Sequence, residues 1–224
     1  MAAAWAYLAA ALVYRLEAFP GLHGDEAWMG LFALRLRESG FYTPHGMNEY
    51  TGPLFGLLLA RTFDWLPAGV FSLRLPGALA NAAAAALIVG QFSRRLGFGA
   101  ATAWLYLAAT STMFLWESRV AWEVCAFQNL LLAVILTQCR LYIEERRFPG
   151  WSVLLFLACA FAGTLNHFIF LSVPLSLTAL ASAGLWRERD WESTGFWRAC
   201  CAALIFCAAA CAVKPRIEPA FWRE

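Results

Sequence analysis

The side chains best suited to chemistry lie in one short polar run, Gly21-Leu22-His23-Gly24-Asp25-Glu26-Ala27-Trp28, directly after the first apolar segment. Adjacent carboxylates cost free energy near a bilayer, so their place at the mouth of an apolar bundle points to chemistry at the membrane surface. One expectation is structural: Asp25 caps a helix beginning near Glu26, and Glu26 adds negative charge at the positive end of the helix dipole. The other is chemical: a carboxylate fixed at a helix start beside an apolar wall is a general base toward an acceptor hydroxyl. The same residue types serve both roles, and the two are compatible.

Three further constellations follow along the chain. Arg119 and Glu123 are four residues apart, which on a helix makes an ion pair anchoring one of its ends. Asn166-His167 is the strongly polar break in a long apolar run, and a lone His there is read first as a polar cap and second as a ligand. Lys214, Pro215 and Arg216 follow the last apolar segment, where cations complement a helix C-terminus or anchor at lipid headgroups. A divalent cation is an open option, with Asp25, Glu49 and the three histidines as its candidates. No ligand spacing demands one, so the metal stays unassigned.

These groups must be positioned by a membrane scaffold. Hydrophobic residues make up 61% of the chain and charged ones 14%, a balance that excludes an ordinary soluble domain. The net charge of +2 gives no basis for nucleic-acid binding. Seven cysteines fall almost entirely inside apolar runs without C-x-x-C spacing, so they are expected to pack as small apolar residues rather than as disulfides or a zinc site. The first segment lacks a basic leader and a cleavage site, and reads as a retained helix.

A spanning helix needs about 20 apolar residues. Seven segments approach that length: 1–18, 68–92, 98–116, 120–142, 151–165, 168–186 and 197–213. The run from Trp151 to Trp186 would be roughly 54 Å long as one helix, against a hydrocarbon core of roughly 30 Å, so it must turn back at Asn166-His167. Three basic clusters, Arg94-Arg95, Arg140 with Arg146-Arg147, and Arg187 with Arg189 and Arg198, are separated by even numbers of passes. The positive-inside rule places them in the cytoplasm and the histidines opposite. Pro53 to Leu66 is cut short by Arg61 and Asp64, so it is expected to lie along the outer interface with a second interfacial helix, Glu26 to Glu38. The expected architecture is therefore all-α, a polytopic transmembrane helix bundle of about seven spans, with an inside N-terminus. Residues 1–224 read as one membrane domain.

The order of motifs resembles the polyprenyl-phosphate-sugar-dependent glycosyltransferases of the GT-C fold, specifically the dolichyl-phosphate-mannose-protein mannosyltransferase and aminoarabinose transferase relatives. The matching pieces are His23-Gly24-Asp25-Glu26-Ala27 after a first span, then Glu49-Tyr50-Thr51-Gly52-Pro53-Leu54 opening an interfacial helix. Phe71-Ser72-Leu73-Arg74-Leu75-Pro76-Gly77-Ala78-Leu79 begins the second span, and Glu117-Ser118-Arg119-Val120-Ala121 closes the third. The resemblance covers essentially the whole chain. Relatives often carry His or Lys beside Pro where this chain has Thr51-Gly52-Pro53, so a cationic substrate contact is missing there or supplied by His45. The family's later spans lie beyond Glu224, which implies that the chain is the N-terminal part of a longer transferase.

What the resemblance implies is transfer of a sugar, with inversion, from a polyprenyl-phosphate carrier to a hydroxyl of a lipid, glycan or protein acceptor on the extracytoplasmic face. It gives Asp25 the role of catalytic base, with His23, Glu26, His45, Glu49, Glu123 and His167 as substrate-binding candidates. Arg119, Lys214 and Arg216 become candidates to hold the donor phosphate. The expected location is a multi-pass membrane, the inner one in a bacterium. The alternative from another class is a non-catalytic transporter or scaffold subunit, in which polar residues line a pathway at mid-depth.

Overall fold

Runs of Ala, Leu and Phe, interrupted by Gly, Pro and Ser, favour helices ended by turns, and the computed structural model is built from helices alone among its described residues. Those residues are 1–39, 52–145, 149–188 and 194–217, without the side chains of 39, 145, 184–188, 194 and 213–217. In order the helices are α1 (Ala2–Val13), α2 (Gly24–Ser39), α3 (Pro53–Trp65), α4 (Val70–Arg95), α5 (Gly97–Thr110) and α6 (Thr112–Arg119). They continue with α7 (Glu123–Ala126), α8 (Gln128–Glu145), α9 (Gly150–Asn166), α10 (Ser172–Glu188) and α11 (Thr194–Ile217), with a 3₁₀ turn at Phe168–Leu171.

Among the described residues, three helices are long and apolar enough to cross a membrane: Val70–Arg95, Glu123–Glu144 and Gly195–Ala212. Gly97–Thr110 and Thr112–Arg119 add a fourth if the pair, bent by 69°, counts as one span. Ala2–Val13, Gly150–Asn166 and Phe168–Ala183 are apolar but shorter. The seven expected segments therefore all contain helix, but local polar chemistry shortens several. The first stops at Val13, two residues before Arg15 at φ 48°. The third breaks at Ser111, whose hydroxyl accepts the Phe114 amide at 3.2 Å and starts a new helix.

The chain divides into two compact units. The first comprises Met1–Tyr42 and Pro53–Leu130. Its core joins Ala4, Leu8 and Leu12 of α1, Ala85 and Val89 of α4, and Ala101, Leu105 and Ala109 of α5. The alanine-rich stretch of α4 supplies small residues to that contact, and Ala80, Ala84 and Ala85 are all buried. Within the same stretch of α4, Asn81 accepts from Asn129 at 2.9 Å and donates to the Gly77 and Cys125 carbonyls, which closes this buried polar pair on its own neighbours.

The two helices expected after the first apolar segment form α2 and α3 and pack on each other. Gly56 permits this approach, because a Cβ there would lie 2.5 Å from the Phe32 ring. Arg37 then ties α2 to α3 by donating to the Phe63 carbonyl at 2.8 Å.

The second unit comprises Thr43–Gly52 and Leu131–Glu224. Cys200, Ala203, Cys207 and Ala210 recur every three to four residues on the buried stripe of α11, which packs against α9. The Cys207 thiol donates to the Ala160 carbonyl at 3.4 Å. All seven cysteines are free thiols.

Candidate functional site

The polar run after α1 is organised by its own backbone and by two arginines far away in sequence. Helix α2 begins at Gly24, earlier than expected, and this changes which residue caps it. His23 occupies the cap: its Nδ1 accepts the Asp25 amide at 3.3 Å, and its own amide donates to Glu26 Oε2 at 3.2 Å. That reciprocal arrangement has the form of a capping box with imidazole in place of a hydroxyl. The expectation that Asp25 is the cap is corrected accordingly. Asp25 stands in the first turn, where its charge still favours the dipole.

The two neighbouring carboxylates have opposite environments. Successive helical residues point about 100° apart. Glu26 therefore faces inward, with no solvent exposure, while the Asp25 side chain is 63% exposed. Glu26 meets Arg74 of α4 in a two-point pair, Oε1 to Nε at 2.6 Å and Oε2 to Nη2 at 2.8 Å. The same Oε1 accepts the Ala121 amide at 2.8 Å. Arg74 further donates to the carbonyls of Leu16 and Pro20, each at 2.8 Å, and of Gly21 at 3.2 Å. A buried charge is tolerable only when paired and hydrogen-bonded, and here both conditions are met. One ion pair thus binds the α1–α2 connection, the start of α2, α4 and the segment after α6.

Arg119 performs a parallel task. Its Nε donates to the Phe19 carbonyl at 3.1 Å, its Nη2 to Tyr14 at 2.6 Å and Phe19 at 2.7 Å, and its Nη1 to Ala11. Ala11 lies in the last turn of α1, whose carbonyls have no partner within the helix, so a cation there answers both the orphan acceptors and the dipole. The guanidinium also lies 5.7 Å from the Phe19 ring centre. The expected helical pair between Arg119 and Glu123 does not form as drawn. Arg119 ends α6, Val120 and Trp122 are extended, and Glu123 opens α7, so no helical turn connects them. Glu123 itself is buried.

Two concavities adjoin this region. One, about 330 Å³, is lined by Tyr14, Arg15, Ala18, Phe19 and Arg119. Another of about 330 Å³ runs between α2, α3 and the start of α4, with Leu22, Ala27, Leu31, Phe63 and Leu73 among its walls. Neither lining includes Asp25, whose Oδ2 lies 3.7 Å from His23 Nδ1.

In the second unit, His167 ends α9 and starts the 3₁₀ turn, its Nδ1 accepting the Ile169 amide at 3.2 Å. The cap reading of this residue therefore has a geometric basis. Gly52 of the Thr51-Gly52-Pro53 motif donates to the Asn166 carbonyl at 2.7 Å. A Cβ at Gly52 would sit 1.6 Å from the Leu165 carbonyl oxygen, so this contact needs glycine. His45 and Glu49 lie outside the described residues, as do the side chains of Lys214 and Arg216. Among the described residues, no three His, Cys, Asp or Glu side chains gather as a metal-binding group.

Arg74 is the residue that motif reading passed over. The motif around Leu73-Arg74-Leu75 gives it no role, although a lone charge near the start of an apolar span is itself a signal that a partner must exist. No family model matches the chain, and no curated protein and no solved structure matches it.

Proposed function

We propose that this chain is the N-terminal membrane module of a glycosyltransferase that moves a sugar from a polyprenyl-phosphate carrier to a hydroxyl acceptor on the extracytoplasmic face, with inversion. The observation that carries the reading is the unequal pair Asp25 and Glu26. Glu26 is spent on fixing the loop, and Asp25 projects into solvent from the first turn of the helix it fixes. A general base needs both properties: a carboxylate open to the acceptor, and a backbone that holds it still.

In this reading Asp25 takes the acceptor proton as the new glycosidic bond forms, and cations stabilise the phosphate that departs. His23, whose Nδ1 accepts the Asp25 amide, helps fix the backbone from which that carboxylate projects. Arg119 contributes by holding the end of α1 and the loop through backbone carbonyls, which leaves Lys214 and Arg216 as the phosphate-binding candidates. His45, Glu49, Glu123 and His167 remain candidates for substrate contact. Seven passes with an inside N-terminus, and α2 and α3 along the outer interface, complete the proposal.

The test uses the full-length protein in proteoliposomes with a polyprenyl-phosphate sugar. Release of polyprenyl phosphate dependent on Asp25 supports the reading. Donor turnover that persists in a folded Asp25→Asn protein overturns it.

A further inference from the structure

A groove of about 400 Å³ separates the C-terminal half of α3 from the first turns of α4, with Leu58, Arg61, Trp65, Leu75 and Leu79 among its walls. Its size falls within the roughly 300–1,000 Å³ typical of small-molecule sites. The walls are almost wholly apolar, and they are not closed off: Leu79 is 57% exposed and Trp65 88% exposed. One wall belongs to Val70–Arg95, a helix long and apolar enough to cross a membrane, and a groove on the side of a spanning helix would meet lipid rather than water.

The other wall sets the depth. Helix α3 has thirteen residues, about 20 Å of helix, and its last two turns carry the exposed ion pair Arg61–Asp64 at 3.3 Å. Charges so exposed belong at the headgroup level, and an exposed indole beside them belongs at the same boundary. The groove therefore starts among headgroups, at Arg61 and Trp65, and descends along Leu75 and Leu79 into the apolar zone. Arg61 is the outward member of its pair, its side chain 85% exposed against 34% for Asp64, so its guanidinium has room for another anion.

We infer that this groove is a phospholipid site, with the lipid phosphate on the Arg61 guanidinium and one acyl chain laid between α3 and α4. A guanidinium matches phosphate oxygens in a fork, and the apolar walls match a hydrocarbon chain. The site does not depend on the proposed transferase activity, and neither of its contacts uses Asp25 or the Glu26–Arg74 pair.

The experiment places a photoreactive benzoylphenylalanine at position 79 of the full chain in nanodiscs containing phosphatidylglycerol, and identifies adducts by mass spectrometry. A second probe at Leu58 serves if the first variant does not fold, and one at Leu107 of α5, also exposed, reports ordinary lipid contact. The expected result is a phosphatidylglycerol adduct at position 79 that falls about fivefold on Arg61→Gln, the effect of one cation near a membrane surface, and recovers with Arg61→Lys. The Leu107 adduct should not change. Labelling at 79 that ignores Arg61, adducts to another protein chain, or adducts to added polyprenyl phosphate in preference to phosphatidylglycerol would each overturn the assignment.

Discussion

Glu26 and Arg74 face each other as a two-point pair, 2.6 and 2.8 Å apart, with neither side chain exposed to solvent. They are 48 residues apart in sequence, and the guanidinium reaches past the carboxylate to three backbone carbonyls of the α1–α2 connection.

Breaking that pair should destabilise the first unit. Arg74→Met leaves Glu26 buried without a counter-charge, a change that costs about 3–5 kcal/mol. The double variant Glu26→Leu with Arg74→Met should not restore stability, because the carbonyls of Leu16, Pro20 and Gly21 would still lack donors. Thermal unfolding in detergent checks both. Full recovery in the double variant would mean that Arg74 matters only as a counter-charge.

Asp25→Asn should behave in the opposite way. Its side chain is mostly exposed, so unfolding temperature should hardly move, while transfer should fall about 10²- to 10⁴-fold through loss of the base. Glu26→Gln, by contrast, should lower stability first. A turnover assay run beside a melting curve on both variants separates the carboxylate that acts from the one that holds.

Arg119→Ala should destabilise the end of α1, with loss of several charge-assisted bonds worth about 1.5–3 kcal/mol each before relaxation. Arg119→Lys should recover little, since one ammonium cannot span the Ala11, Tyr14 and Phe19 carbonyls that the planar fork bridges. Hydrogen exchange of the α1 C-terminal turn would report the effect locally. If exchange there stayed at the wild-type level while donor binding weakened, Arg119 would be a phosphate ligand first.

Topology can be read by thiol labelling in a cysteine-free background. A Cys at position 25 should react with membrane-impermeant reagents from outside, and so should one at Trp65, because the proposed seven-pass arrangement puts the three basic clusters in the cytoplasm and α3 along the outer interface. Reaction at position 25 only from the cytoplasmic side would remove the seven-pass arrangement and the extracytoplasmic reaction with it.

The amino-acid sequence by itself determined the class of this protein. Apolar runs near the thickness of a bilayer, broken by turn residues, could become nothing but helices, and Arg61 with Asp64 already showed α3 to be short. It also located the polar loop, because carboxylates at the edge of an apolar segment are costly enough to stand out. Tertiary structure decided which of two adjacent carboxylates is buried. That choice depends on Arg74, whose arrival beside Glu26 requires α4 to pack against the start of α2, and no local pattern encodes a contact 48 residues away. It also decided the partner of Arg119. Helical spacing suggested Glu123, but the chain is extended after Arg119, and the carbonyls left unpaired at the end of α1 took the guanidinium instead. Periodicity describes what a helix would bring together, whereas breaks and unsatisfied helix ends become visible only once the helices are assembled.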